Sequence, residues 1–271
     1  MPIHKTAIIN KGAKIAKNVE IGPHVVIEEN VSIGEGTKVY PNAYIFKNTS
    51  LGKNCTVYVG AALGGDPQDL AFKNKKSYLK IGDNNIFREY VTIHRGTVEG
   101  TSTEVGNNNF FMAGSHAGHN CKIGNNVIIV NGALLGGYVV AEDSCFISGN
   151  VIIHQFCRLG RLSMIGGFSA VNKDVPPFMS VRGPSVVASV NIVGLRRAKF
   201  DLETIKLIKE AYNLLYLSDL NTKNAAEKIA TLSKSDEIKY LVEFIKSSKR
   251  GICKYRYEAE DMAFYEGKNV K

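Results

Sequence analysis

His119, Gly137 and Gln155 are equally spaced along the chain. In a chain that returns to the same azimuth at that interval, they form one column: an imidazole, a backbone unit without a side chain, and an amide. An imidazole, whose ordinary pKa is about 6.5, is the side chain best suited to act as a general base near neutral pH. A bare glycine N–H one strand spacing away leaves a developing oxyanion free to approach. Together they place a potential general base beside a backbone N–H that a substrate can approach closely. His116 precedes His119 in Gly114-Ser115-His116-Ala117-Gly118-His119-Asn120, His94 stands in Ile93-His94-Arg95-Gly96, and His154 adjoins Gln155. The other histidines, His4 and His24, read as a chain-end residue and a corner residue.

The elements that must position these groups are written in steps of six. From Ile3 to Val171, 22 of the 29 positions at that interval are Ile, Val or Leu, a period that neither an α-helix nor a flat strand produces. The position four after each aliphatic residue is small, as at Ala7, Ala13, Ala43, Cys55 and Ala61. The position three after it is Asn or Gly in eight of nine repeats from Gly12 to Gly60, His24 being the exception; these residues tolerate a left-handed corner. Three hexads make one triangular coil, the interval that separates His119, Gly137 and Gln155. Such a coil buries its apolar lining only against neighbouring coils, about 4.8 Å apart. The fold class expected is an all-β solenoid of hexapeptide repeats followed by a small C-terminal helical domain. Residues 1–190 form the solenoid, 191–251 the helical domain, and 252–271 a polar tail of unknown structure. The helices are expected behind an Asp201 cap, around 222–232, and along Ile238, Leu241, Val242 and Ile245 before Gly251.

Interruptions of the ladder mark where function has been inserted. The first runs from Gly64 to Lys80 and contains Gly65-Asp66-Pro67-Gln68-Asp69-Leu70; the second runs from Val98 to Glu104. Four of the five cysteines, Cys55, Cys121, Cys145 and Cys157, fall in the small inward column, so packing explains them without a disulfide or a metal. The net charge of +9 suits acidic partners, while the scattered basic residues give no pattern for nucleic acid. No apolar run long enough to span a membrane and no signal sequence is visible, so a cytoplasmic protein without stable membrane insertion is expected.

The hexads, His116-x-x-His119, Ile153-His154-Gln155-Phe156-Cys157, Asp174-Val175-Pro176-Pro177 and the stretch from Asn191 to Arg197 closely resemble the UDP-N-acetylglucosamine acyltransferases that begin lipid A biosynthesis. Gln68-Asp69-Leu70 and Ile93-His94-Arg95-Gly96-Thr97 strengthen the likeness, which spans about residues 1 to 251. The resemblance implies a left-handed parallel β-helix assembled as a homotrimer, with active sites between neighbours. It implies transfer of a long 3-hydroxyacyl chain from acyl carrier protein to the sugar 3-position, without a cofactor or metal. His119 becomes the general base and Gly137 the oxyanion donor. His116 and Asp69 hold the sugar, with His94 and Gln68 in the same pocket. Asn191 and Arg197 contact the nucleotide, and His154 and Gln155 line the acyl groove. Gly167 leaves that groove open to a long chain.

The sequence also departs from the family pattern. Asn120 replaces an aspartate beside the base, Tyr138 a histidine beside the oxyanion glycine, Ala71 a lysine (with Lys73 nearby) and Val193 a glutamate. Family members that acylate a 3-amino sugar nucleotide also depart at the lysine and glutamate positions, so N-acylation is the alternative activity. Two further readings stand beside it: a zinc hydratase of the γ-carbonic anhydrase type using His94, His116 and His119, and an inactive hexapeptide scaffold.

Overall fold

The computed structural model describes residues 3–255. The hexads wind into a left-handed parallel β-helix with three faces. Face A holds nine strands from Ile8–Ile9 to Ala170–Val171, and face B eight from Lys14–Ile15 to Arg158–Leu159. Face C holds ten, from Glu20–Ile21 through Met164–Ile165 to Met179–Arg182, closed by the antiparallel strand Val186–Val190. Most solenoid strands are a pair of residues: the second is the inward aliphatic of the ladder, the first points outward. Ile27, Ile45, Leu63, Ile93, Leu135 and Ile153 stack inside face A with almost no exposure, and the cysteines of the small column are buried beside such stacks. Burial pushes the thiols of Cys121, Cys145 and Cys157 up to about 12, so they stay protonated and act as small apolar groups.

The corners are left-handed as the Asn and Gly column demands, from Asn18 (φ 57°) through Asn30, Asn42 and Asn54. His24, the apparent exception, adopts the same conformation at φ 56°, whereas Gly12 does not. Farther along, Tyr90, Tyr138, Phe156, Leu162 and Phe168 occupy such corners. Bulky side chains are disfavoured there, so these positions carry a conformational cost that the coils on either side must hold in place.

The rule that positions three hexads apart are stacked holds wherever the ladder is unbroken, as in His116↔Leu134. It changes at the interruptions. Leu63 pairs with Ile93, two hexads later than an unbroken coil would place its partner, so this coil carries the longer excursion. Ile81 pairs with Val105, one hexad late, so the next carries the shorter one. Both excursions leave the edge where face A passes into face B.

Beyond the last coil lie four helices: α1 (Ile192–Arg197), α2 (Leu202–Tyr216), α3 (Thr222–Leu232) and α4 (Asp236–Ser247). Asp201 caps α2 by accepting from the Thr204 N–H, as its position predicts. Helix α1 has no counterpart in the sequence reading. The stretch expected to begin a polar tail at 252 starts instead with buried Ile252 and Cys253, the former bridging to Asp174; residues 256–271 lie outside the described residues.

Candidate active site

His119 sits at the A–B edge, immediately after the strand His116–Ala117 and its glycine, with Gly137 one coil along because Ala117 is in register with Leu135. The approach is so close that a methyl on Gly137 would overlap Cε1 and Nε2 of His119. Gly137 has no positive φ, so the imidazole and not the backbone requires glycine here. The Gly137 carbonyl accepts from the Phe156 N–H at 3.0 Å, but its own N–H donates to no group among the described residues. A buried glycine thus presents an unused donor beside an imidazole edge.

His119 Nδ1 lies 3.1 Å from Asn120 Oδ1. Its ring stands edge-on to Tyr138 at 5.3 Å, and Tyr138 stacks on Phe156 at 4.9 Å, making an aromatic wall along the corner column. His116 points outward from face A with Nδ1 2.8 Å from Thr92 Oγ1, and meets the His94 ring at 4.8 Å. Burial first, and the neighbouring His116 and His119 second, lower the His94 pKa to about 4, so His94 is neutral at physiological pH. Burial also lowers the pKa of His116. Among the described residues no three His, Cys, Asp or Glu side chains converge as a metal site.

Gln68 and Asp69 are exposed on the longer excursion. Asp69 Oδ1 accepts the Ala71 N–H at 2.9 Å, and no hydrogen bond ties either residue to the histidines among the described residues. The excursion is anchored by Arg95, one coil before His119 in the same column. Its side chain is 1% exposed, pairs with Asp66 at 2.6 Å and lies 5.5 Å from the Phe72 ring. Arg95 was visible in the motif beginning at Ile93, but nothing in one sequence marks a buried guanidinium.

Gln155 occupies the column position after Gly137 and is exposed; His154 beside it is exposed and lies 3.3 Å from Arg250 Nη2. Gly167 belongs to a different edge, where face C passes into face A, and a side chain there would meet only Gly149 and Ser148 at ordinary contact distance. Asn191 and Arg197 line a groove of about 760 Å³ between face C and α1, together with Phe146, Met164 and Val193. The Asn191 side chain is already committed at both ends, accepting from the Gly194 N–H to cap α1 and donating to the Leu162 carbonyl. Within one chain the structure therefore gathers His94, His116, His119, Gly137 and Gln155 at one edge and leaves Gly167, Asn191 and Arg197 on other surfaces.

Comparison with known proteins gives the chain its relatives. Residues 102–137 match the bacterial transferase hexapeptide (six repeats) family model, and residues 174–253 match that of UDP N-acetylglucosamine O-acyltransferase, domain 2. An acyl-[acyl-carrier-protein]--UDP-N-acetylglucosamine O-acyltransferase of Thermodesulfovibrio yellowstonii is 48% identical over 255 residues, covering 93% of this chain and 99% of that protein. The same-named protein of Aliarcobacter butzleri is 46% identical over 92% and 97% of the two chains. The solved UDP-N-acetylglucosamine acyltransferase of Bacteroides fragilis superposes with a TM-score of 0.90 at 44% identity, covering 93% of this chain and 99% of its own. That of Francisella novicida superposes with 0.91 at 40%, covering 97% and 96%. With matches of this extent along both the coils and the helices, the chain belongs to the UDP-N-acetylglucosamine O-acyltransferase family.

Proposed function

We propose that this chain transfers a long (R)-3-hydroxyacyl group from acyl carrier protein to the 3-hydroxyl of UDP-N-acetylglucosamine, the first step of lipid A biosynthesis. The observation that carries this reading is the imidazole of His119 against the unused N–H of Gly137. With its proton on Nδ1, His119 accepts the hydroxyl proton at Nε2 while the sugar oxygen bonds to the thioester carbon. The carbonyl electron pair moves onto oxygen, where the Gly137 N–H meets it. Collapse breaks the carbon–sulfur bond, and the imidazolium returns the proton to the leaving thiolate. The base is worth about 10² to 10⁴ in rate and the oxyanion donor about 10² to 10³.

His116 and Asp69 hold the sugar, and His94 and Gln68 share that pocket. Arg197 faces the nucleotide phosphates. Asn191, whose side chain is spent on α1, serves the nucleotide by shaping the groove. His154 and Gln155 border the acyl chain, and Gly167 leaves its path open. No cofactor is required, because the donor brings its own thioester. The relatives carry O-acyltransferase names, which favours the hydroxyl over the amine as acceptor.

The assembly proposed is a homotrimer, in which the A–B edge of one subunit meets the face C groove of the next. Its support lies in the outward residues. Face A presents Ile8, Leu134 and Ile152, and face C presents Ile86, Phe110, Ile128 and Phe146, while face B presents Lys14, Lys80, Glu104, Lys122 and Arg158. From Ile86 onward face C is apolar outside, after Glu20, Lys38 and Thr56 in its earlier strands, and such an apolar stretch beside the charged residues of face B fits a three-fold contact. No helix is long and apolar enough to cross a membrane among the described residues, and a cytoplasmic location is proposed.

The test is a mass-spectrometric product assay with acyl carrier thioesters of several lengths, offered UDP-N-acetylglucosamine and its 3-amino analogue. Transfer to the hydroxyl sugar that is lost in His119→Ala is expected; failure to acylate either sugar removes the reading. Light scattering should return three chains per particle, and Ile152→Asp should lower that mass.

A further inference from the structure

The tautomer of His119 decides whether Nε2 is a base, and no carboxylate sets it: among the described residues none hydrogen-bonds to the ring. The one partner of Nδ1 is the carboxamide of Asn120. A carboxamide that turns freely presents oxygen or NH₂ with similar ease, and the second choice would select the tautomer with its proton on Nε2.

Thr97 removes that freedom. Its backbone N–H can only donate, and it points at the Asn120 side-chain oxygen from 3.0 Å. Its hydroxyl reaches the same atom at 3.0 Å. The atom between Thr97 and His119 must then be oxygen, and His119 Nδ1 must carry the proton. Tyr138 OH, 3.2 Å from Thr97 Oγ1, donates to it once the threonine proton is committed to Asn120. From the other side, the backbone N–H of Asn120 donates to Thr103 Oγ1 at 2.7 Å. Thr97 immediately precedes the shorter excursion and Thr103 lies near its end, so Asn120 is gripped between them. Asn120 itself is 8% exposed in a left-handed corner, so its oxygen has little water with which to exchange these donors.

Resting on the proposed acyl transfer, we propose that Thr97 is a positioning residue: through Asn120 it holds His119 with the proton on Nδ1 and Nε2 free to take the proton of the sugar. The other titratable groups facing His119 are His116 and His94 on its own side of the coil and Tyr138 above it. The guanidinium of Arg95 in the preceding coil is paired with Asp66.

Thr97→Val keeps the shape and the backbone donor but removes the hydroxyl. Because the backbone donor remains, we expect kcat to fall about two- to fivefold with KM for the sugar nucleotide little changed, and Thr97→Ser to recover most of the loss. In protein labelled with ¹⁵N at histidine, His119 should show the Nδ1–H tautomer, giving way to a mixture in Thr97→Val. Asn120→Asp presents the same oxygen to the same donors; it should remain active, and the acid limb of its kcat/KM profile should move to higher pH because the imidazolium gains a counter-charge. A Thr97→Val enzyme with unchanged kcat, a wild-type Nε2–H tautomer, or an unmoved limb in Asn120→Asp overturns the inference. The comparison of tautomers between wild type and Thr97→Val needs no substrate, so it tests Thr97 even if the acyl-transfer reading fails.

Discussion

The same position of the hexad, two residues past the inward aliphatic, is used in opposite ways at two edges of the prism. Where face B passes into face C, it holds Lys53, Asp83, Asn107, Asn125 and Asp143. Each backbone N–H of the first four is taken by the side-chain oxygen of the residue in the next coil, at 2.7–2.8 Å. Where face A passes into face B, it holds Arg95, His119, Gly137 and Gln155, and the Gly137 N–H is left unused among the described residues. A short Asx side chain closes the ladder; a glycine followed by a longer Gln keeps it open. One edge has its donors satisfied for stability, and the other keeps a donor available for chemistry.

Gly137→Ala attacks the open edge most directly. Its methyl overlaps the imidazole, so turnover should drop at least about 10²-fold with the fold retained, measured by product formation and thermal melting. Next in size is the proton linkage of His94. Its folded pKa, about 4, lies below the unfolded value, so stability is full above pH 6.5 and declines as pH falls toward 4 while the unfolded chain gains the proton first. On the order of 2 kcal/mol should be lost over that window, and His94→Gln should flatten the fall in Tm. Gln155→Asp converts the open edge toward the closed one by placing a carboxylate on the Gly137 N–H. About tenfold slower turnover is expected, and an unchanged rate would mean that this N–H does not serve the oxyanion. Asn107→Ala, in the equivalent position of the closed edge, should cost about 1 kcal/mol in denaturant unfolding and leave turnover unaltered.

The solenoid was legible because each column asks for one property: Ile inside, a small residue beside it, Asn at the corner. Asp201 and the run at Ile238 announced their helices for the same reason, since caps and spacing are local signals. The proximity of His119 and Gly137 followed from counting three hexads, which is valid there because no excursion intervenes. Counting failed where excursions do intervene. Thr97 meets Asn120 and Asp66 meets Arg95 across separations that are not whole numbers of hexads, so no constant interval points from one to the other. Helix α1 gives no signal in the sequence because a helix of under two turns is too short to show a period, and for the same reason the sequence does not show that the Asn191 amide caps it. Gly167 and Arg197 could not be placed against His119 by spacing, because they lie on other surfaces of the same chain.

The left-handed corners also protect the open rim of the prism. Ile8–Ile9, Lys14–Ile15 and Glu20–Ile21 are the terminal strands of their sheets among the described residues, and His4 lies against the last of them with its N–H on the Ile21 carbonyl at 2.9 Å. Exposed edges of this kind template further strands and, in the worst case, fibrils. Each of these offers only a pair of residues before the backbone swings away, at Asn18 and His24 among other places, whereas cross-β growth draws on segments of about six or seven. At this rim, therefore, the parallel strands give copies of the molecule nothing long enough to grip.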